Sequence, residues 1–255
     1  MRPAIFAVFG LVFGSFLTVV VHRLPRGESV VAPRSRCPRC GVQIRAWENI
    51  PVLSWLLLRG RCRRCGERIS LEYPLVELST GVLFALAGAL IEPLYAAVLV
   101  APFLGLMLAV ALIDARWRIV PNRIVYPALA IFAVAIAVGH LTGGGVDILW
   151  GLLGVLVYGG PMLLVALAVP GGMGMGDVKL AALIGLVLGS LGLSLVGVAA
   201  FLGIVGGGIA AVVAMTVLRW GRKRQMPFGP FLAAGGALSA LVGAEVATAY
   251  LSLLQ

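Results

Sequence analysis

Residues 95–113, YAAVLVAPFLGLMLAVALI, contain no charged side chain, and the run stops at Asp114. A stretch of about 20 apolar residues is what an α-helix needs to cross a bilayer core of roughly 30 Å. The same reading extends outward in both directions. Further apolar segments are expected at 4–22, 74–91, 124–140, 148–169, 178–190, 194–218 and 231–253. Segment 178–190 is short enough to tilt against its neighbours or to follow a re-entrant piece. Ala and Gly fill many of these segments, which suits close helix–helix approach in lipid. The sequence therefore predicts an all-α polytopic membrane protein with about eight transmembrane helices. Composition agrees, since 61% of the 255 residues are hydrophobic, only 12% are charged, and the mean hydropathy is +1.06. Those values exclude a soluble domain, collagen, a disordered chain and a small disulfide scaffold. Segment 4–22 follows Arg2 but has no small-residue cleavage site before His22-Arg23-Leu24-Pro25, so it reads as a retained helix rather than a signal peptide.

The net charge of +10 is unevenly placed. Arg23 to Arg68 holds 11 Arg, the 114–123 loop adds Arg116, Arg118 and Arg123, and Arg219, Arg222, Lys223 and Arg224 follow the seventh segment. With eight alternating crossings, these and Lys179 fall on one side, and only Arg2 falls on the other. Lys and Arg mark the cytoplasmic side, so both termini are expected outside and the long loop after the first helix inside. The expected organisation is a first transmembrane helix (1–22), a cytoplasmic domain (23–73) and a seven-helix membrane domain (74–255).

Residues 23–73 carry all four cysteines, as Cys37-Pro38-Arg39-Cys40 and Cys62-Arg63-Arg64-Cys65. Each C-x2-C supplies two thiolates, and four thiolates around a tetrahedral ion make a closed structural Zn²⁺ site. Arg36, Arg39, Arg61, Arg63 and Arg64 would offset the charge of such a centre. Two disulfides are the alternative, which a reducing cytoplasmic face disfavours. A domain of about 50 residues with little apolar core needs a staple of this kind. Having no vacant ligand position, the ion would organise the loop and not catalyse.

Ionised groups inside a membrane cost ~2.5–3.5 kcal/mol each on insertion scales. Asp114 ends one apolar segment, and Asp177 follows Gly174-Met175-Gly176 at the start of another. Taken singly, Asp177 reads as a helix N-cap and Asp114 as an interfacial partner of Arg116 or Arg118. Taken together, at one expected depth on the cytoplasmic side, they read as a dyad. Two carboxyl groups about 3 Å apart share a proton, so one takes a proton from water while the other polarises a peptide carbonyl. No Ser–His–Asp set competes, because the only histidines, His22 and His140, lie on opposite expected sides.

These residues resemble, in order along nearly the whole chain, the type IV prepilin peptidases, membrane aspartic proteases of the GxGD kind. The match runs through Gly14-Ser15-Phe16-Leu17, the two C-x2-C pairs, Glu48-Asn49-Ile50-Pro51, Arg59-Gly60-Arg61-Cys62 and Tyr73-Pro74-Leu75-Val76-Glu77. It continues through Asp114 with Val120-Pro121-Asn122, then Gly174-Met175-Gly176-Asp177-Val178-Lys179, and Pro227-Phe228-Gly229-Pro230-Phe231. Thr18 and Glu72 depart from the family's usual Asn and Arg. The resemblance implies Asp114 and Asp177 as the catalytic pair, with Gly174, Gly176 and Lys179 in support. It implies prepilins or pseudopilins as substrates, cut at the cytoplasmic face of the bacterial inner membrane just before their apolar helix. It also implies N-methylation of the new terminus by S-adenosylmethionine. Glu77 is a candidate participant in that step, or a partner for a cytoplasmic Arg. No nucleotide-type glycine loop is visible in the sequence, so the methyl transfer rests on the resemblance alone.

A transporter using Asp114 and Asp177 as cation ligands would leave the four-Cys domain unexplained, and no internal repeat is apparent. A nucleic-acid-binding zinc ribbon is the other reading of so many arginines. The positive-inside rule already accounts for those charges, so no nucleic acid is expected as partner and membrane lipid headgroups are.

Overall fold

Helices form over each of the expected apolar segments, and their ends carry the chemistry that starts and stops helices. The structure is a computed structural model describing residues 1–169, 173–217 and 227–252. Helix α1 (Arg2–Arg23) has Pro in its first turn and His22 and Arg23 in its last, where cations complement the helix dipole. A short α2 (Leu53–Leu57) lies in the loop that follows. Then come α3 (Glu72–Leu90), α4 (Leu94–Trp117) and α5 (Asn122–Leu141). Helix α6 (Ile148–Gly154) is capped by Asp147, whose Oδ1 accepts the N–H groups of Leu149 and Trp150 at 2.8 and 3.1 Å. A π-helical turn (Val155–Gly159) joins it to α7 (Gly160–Ala168), where Pro161 removes one amide donor from the ladder. Helices α8 (Met175–Leu191), α9 (Leu193–Thr216) and α10 (Gly229–Ser252) complete the described chain.

Among the described residues, seven helical stretches are long and apolar enough to cross a membrane, against the eight expected. The exception is α8, whose 17 residues span only about 25 Å. Its surroundings account for the difference. Eleven of its residues are buried, and it packs on α6, the π turn, α5, α9 and α10, so protein rather than lipid covers it. Gly154 and Gly185 permit the contact with α6: a Cβ on Gly154 would stand 2.1 Å from the Gly185 carbonyl oxygen. Helix α4 shares the centre, with Phe103, Leu104, Met107 and Ile113 fully buried. The other helices turn large apolar side chains outward, among them Phe9, Val12, Ile131, Val134 and Phe201. In a bilayer such faces meet acyl chains, so their exposure needs no partner protein.

Arg2 pairs with Glu92 at 2.5 Å at one end of the bundle, while Arg23, Arg116 and Lys179 lie on helix ends at the other. The basic run Arg219–Arg224 and the Gly171-Gly172 pair lie outside the described residues.

The loop between α1 and α3 holds an internal repeat that the sequence reading missed. Residues 36–44, RCPRCGVQI, and 61–69, RCRRCGERI, share Arg, Cys, Arg, Cys, Gly and Ile at matching places. Their backbones repeat as well. Cys37 N–H donates to the Val42 carbonyl and Cys62 N–H to that of Glu67; Gly41 and Gly66 close the turns onto Cys37 and Cys62. Both glycines have positive φ, 67° and 70°, which explains why Gly follows each second cysteine.

Candidate active site and metal centre

The two repeated turns face each other. The Sγ atoms of Cys37 and Cys65 lie 3.7 Å apart, those of Cys40 and Cys62 lie 4.0 Å apart, and all four are within 4.8 Å of one another. A tetrahedral Zn²⁺ with bonds near 2.3 Å requires sulfurs about 3.8 Å apart, so the cluster fits that ion and no disulfide bridges it. The thiols themselves show why a cation suits them. The amides of Cys40 and Arg39 pull the Cys37 thiol down to about 7. At Cys65 the Glu67 amide favours the thiolate, but desolvation and the thiols of Cys40, Cys62 and Cys37 outweigh it and push the group up to about 12. Four thiols this close cannot all ionise unless a positive ion is placed among them. Ion pairs brace the outside, Arg39 to Glu67 at 2.5 Å and Arg63 to Glu48 at 2.6 Å. The Arg45 amide, aided by Arg63, holds the Glu48 carboxyl below its ordinary range.

Asp114 lies in the last turn of α4 and is only 4% exposed. The helix continues past it to Trp117 and stops at Arg118, which turns left-handed (φ 53°) and donates its N–H to the Asp114 carbonyl at 2.9 Å. Asp177 lies in the first turn of α8 and is part-buried. Both plainer readings of these residues fail. Gly174, not Asp177, occupies the N-cap position of α8. Arg116 is taken by Glu72, the residue that departs from the family pattern, so it does not serve Asp114. The Asp114 carboxylate accepts instead from a backbone amide: Gly229 N–H donates to Oδ2 at 2.9 Å. Gly229 was visible in the sequence as part of a motif, but its role was not, because a main-chain donor leaves no residue-type signature.

Three distant segments thus meet at one end of the bundle. The first turn of α10 contacts Asp114 through Gly229, where a Cβ would come within 2.7 Å of Oδ2. The first turn of α8 lies against the loop after Asp114, where a Cβ on Gly176 would stand 2.9 Å from that of Val120. Lys179 Nζ donates to Asn122 Oδ1 at 2.9 Å and sits 5.0 Å from the Tyr126 ring centre, tying α8 to α5. Asp177 is thus carried by the turn that lies against the loop following Asp114. Among the described residues, a Cβ on Gly174 would meet nothing closer than Asp177 Oδ2 at 3.5 Å, so space does not explain a glycine there.

Glu77 is 8% exposed and accepts the Val52 amide at Oε2, 2.7 Å away. Its partner is therefore backbone, and not the cytoplasmic Arg that the sequence offered.

Comparison with known proteins divides the chain between α3 and α4. Residues 8–91 match the family model described as Bacterial Peptidase A24 N-terminal domain, and residues 101–212 match that of the Type IV leader peptidase family. The chain is 35% identical over 253 residues to a prepilin leader peptidase/N-methyltransferase of Bacillus subtilis (strain 168), covering 98% of each. It is 37% identical to one of Burkholderia pseudomallei (strain 1026b), over 95% of this chain and 86% of that protein. It is 35% identical to one of Neisseria gonorrhoeae, over 90% and 87%. No solved structure matches it. With two family models matched in order along it and a relative 35% identical over 98% of each chain, the chain belongs to the type IV leader peptidase family.

Proposed function

We propose that this chain cuts the leader from prepilin-type substrates with Asp114 and Asp177 as the catalytic pair. The meeting of the first turn of α10 with Asp114, and of the first turn of α8 with the loop after Asp114, is the observation that carries this reading. Gly229 N–H engages Oδ2 of Asp114, and Oδ1 is assigned to the attacking water and the partner carboxyl. Hydrolysis then balances simply. The ionised carboxylate takes one proton from water as its oxygen bonds to the peptide carbon, and the protonated carboxyl donates to the carbonyl oxygen. Collapse breaks the C–N bond: the proton held by the dyad passes to the leaving amine, and a hydroxyl of the tetrahedral intermediate returns its proton to the other carboxylate as the product acid forms. Gly174, Gly176 and Lys179 support the pair, Gly176 and Lys179 by holding the start of α8 against the 120–126 segment.

The relatives' names include N-methyltransferase, and methylation of the new terminus by S-adenosylmethionine belongs to the proposal on that ground. The donor carries a sulfonium and an ammonium besides its carboxylate and adenine. A cleft of about 340 Å³ beside α1 and residues 30–49 presents Arg23, Arg34 and Arg45 with Ser35 and Asn49, but no acidic or aromatic side chain. That lining suits a carboxylate and opposes two cations, so the residues do not fit the whole molecule and no methyl-transfer step is drawn through them.

The proposed organisation is one helix (1–22), a zinc domain (23–73) held by Cys37, Cys40, Cys62 and Cys65, and a seven-helix peptidase domain (74–255). With α8 as the eighth crossing, both termini lie outside and the dyad and zinc domain lie at the cytoplasmic face of the inner membrane. The polar leader then reaches the dyad from the cytoplasm while the apolar helix that follows stays in lipid.

The test uses the purified chain in liposomes with a full-length prepilin-type substrate. Wild-type protein is expected to release the leader, and Asp177→Asn protein to release none. Cleavage by the Asp177→Asn protein at the wild-type rate refutes the mechanism.

A further inference from the structure

Residues 50–58, IPVLSWLLL, are uncharged in the midst of an Arg-rich loop. Within it α2 turns Leu53, Leu56 and Leu57 outward, one helical face whose members are 51, 58 and 70% exposed, and Ile50 ahead of the helix is 45% exposed. A soluble domain this small would gain by burying those side chains. Here the opposite face is the buried one: Ser54 is covered, and Trp55 packs on Gly60.

The polar atoms of the segment are satisfied from within. Ser54 Oγ donates to the Ile50 carbonyl at 2.7 Å, and Trp55 Nε1 donates to that of Ile69 at 3.2 Å. The N–H groups of Ser54, Leu56 and Leu58 donate to the carbonyls of Ile50, Val52 and Ser54. Val52 precedes the helix with φ 60° and cannot give its N–H to the ladder, and Glu77 takes it. Internal satisfaction of this kind is what a lipid environment demands and an aqueous one does not.

Glu77 also fixes the depth. It is the sixth residue of α3, about 7.5 Å along the axis from Glu72, and α3 is one of the membrane-crossing helices. Over the same stretch α3 exposes Leu71, Leu75 and Leu78. A hydrogen bond to Glu77 therefore holds the start of α2 beside a part of α3 that already faces lipid. Arg59 and Arg61, both exposed, come next in the chain, placed for anionic headgroups.

We infer that α2 is an interfacial anchor: Ile50, Leu53, Leu56 and Leu57 lie among the upper acyl chains of the leaflet at the dyad's end, and Arg59 and Arg61 lie among its headgroups. The loop is thus not wholly outside the bilayer. The anchor and Glu77 together set the height of the zinc centre over the membrane. This inference rests on α3 crossing the membrane and is independent of the catalytic assignment.

The experiment places the photo-crosslinking residue p-benzoyl-phenylalanine at Leu53 or Leu57 of the otherwise native chain, reconstituted in phosphatidylethanolamine–phosphatidylglycerol liposomes with a prepilin-type substrate present. Val134 on the outer face of α5 is the lipid-facing reference and Arg64 the aqueous one. Bound zinc verifies that each variant has folded. Phospholipid adducts at 53 and 57 are expected at the level of Val134 and at least about tenfold above Arg64, the contrast between acyl chains and water. Adducts no greater than at Arg64 overturn the inference, as do adducts to substrate or to a second copy in place of lipid. The first outcome leaves the stripe in water, and the second makes it a protein-docking surface.

Discussion

The zinc knuckles and the aspartate pair each bring two like groups together across the chain, by opposite means. Each knuckle is complete within nine residues: Cys, Cys and a left-handed Gly set their own turn, and only the meeting of two finished turns is left to tertiary structure. The aspartates have no such local frame. Asp114 and Asp177 are 63 positions apart on different helices, and the donor that orients one of them comes from a third, 115 positions away. A site made of finished pieces should fail piece by piece. A site made by convergence should be sensitive to any of the converging backbones, including positions that carry no side chain.

The largest expected effect breaks the pair directly. Asp114→Asn and Asp177→Asn should each lower leader cleavage by on the order of 10³-fold or more, and the double variant should be little worse, since residues acting as a unit are not additive. Cleavage assays with membrane insertion as control measure this; strictly additive losses would show two independent groups.

Next come the glycines, which test convergence itself. Gly229→Ala and Gly176→Ala force a methyl against Asp114 or Val120 and should cost about 10²-fold in kcat, the penalty of roughly an ångström of misplacement. Gly174→Ala has room for its methyl and should remain within a few-fold of wild type. Equal losses at all three positions would remove packing as the cause.

Breaking a knuckle should separate metal from chemistry. The native chain should carry about one equivalent of zinc, and Cys62→Ser should lose most of it. Protease resistance of the 23–71 loop should fall with the metal, while cleavage falls about tenfold or less, because the ion holds a domain and not the dyad. Metal content that is unchanged in Cys62→Ser, or absent in the native chain, would end the four-cysteine zinc assignment.

A smaller effect sharpens the role of the α8–α5 tie. Lys179→Ala and Asn122→Ala should each reduce cleavage only several-fold, and the double variant should match either single one, as expected for two ends of one hydrogen bond. Additive losses would mean that Lys179 acts elsewhere. Smallest of all, Glu48→Gln removes an ion pair whose Arg63 end is exposed but keeps an acceptor for the Arg45 amide, and should destabilise the zinc domain by about 1 kcal/mol or less, read by denaturant melting.

Eight apolar segments were legible in the chain because hydropathy is a local property, and helices appear over all of them within a few residues of the expected ends. The four cysteines were legible for the same reason. Their nine-residue repeat was equally present in the letters, but it became evident only once the matching turns were seen. Both aspartates could be picked out because a carboxylate at the edge of an apolar run is costly and therefore conspicuous. Their partners could not. Whether Asp114 is served by Arg116 or by the amide of Gly229 depends on where α10 begins relative to α4, and on Glu72 capturing Arg116 first. The short length of α8 was readable, yet its shelter within a ring of other helices was not. The sequence by itself determined which segments leave water, which residues could ligate a metal and which carboxylates were out of place, because each follows from side-chain transfer energies and fixed local spacing. Only the tertiary structure decided which backbone amide meets which carboxylate, since a main-chain donor is the same in every residue and acquires meaning only from where the fold puts it.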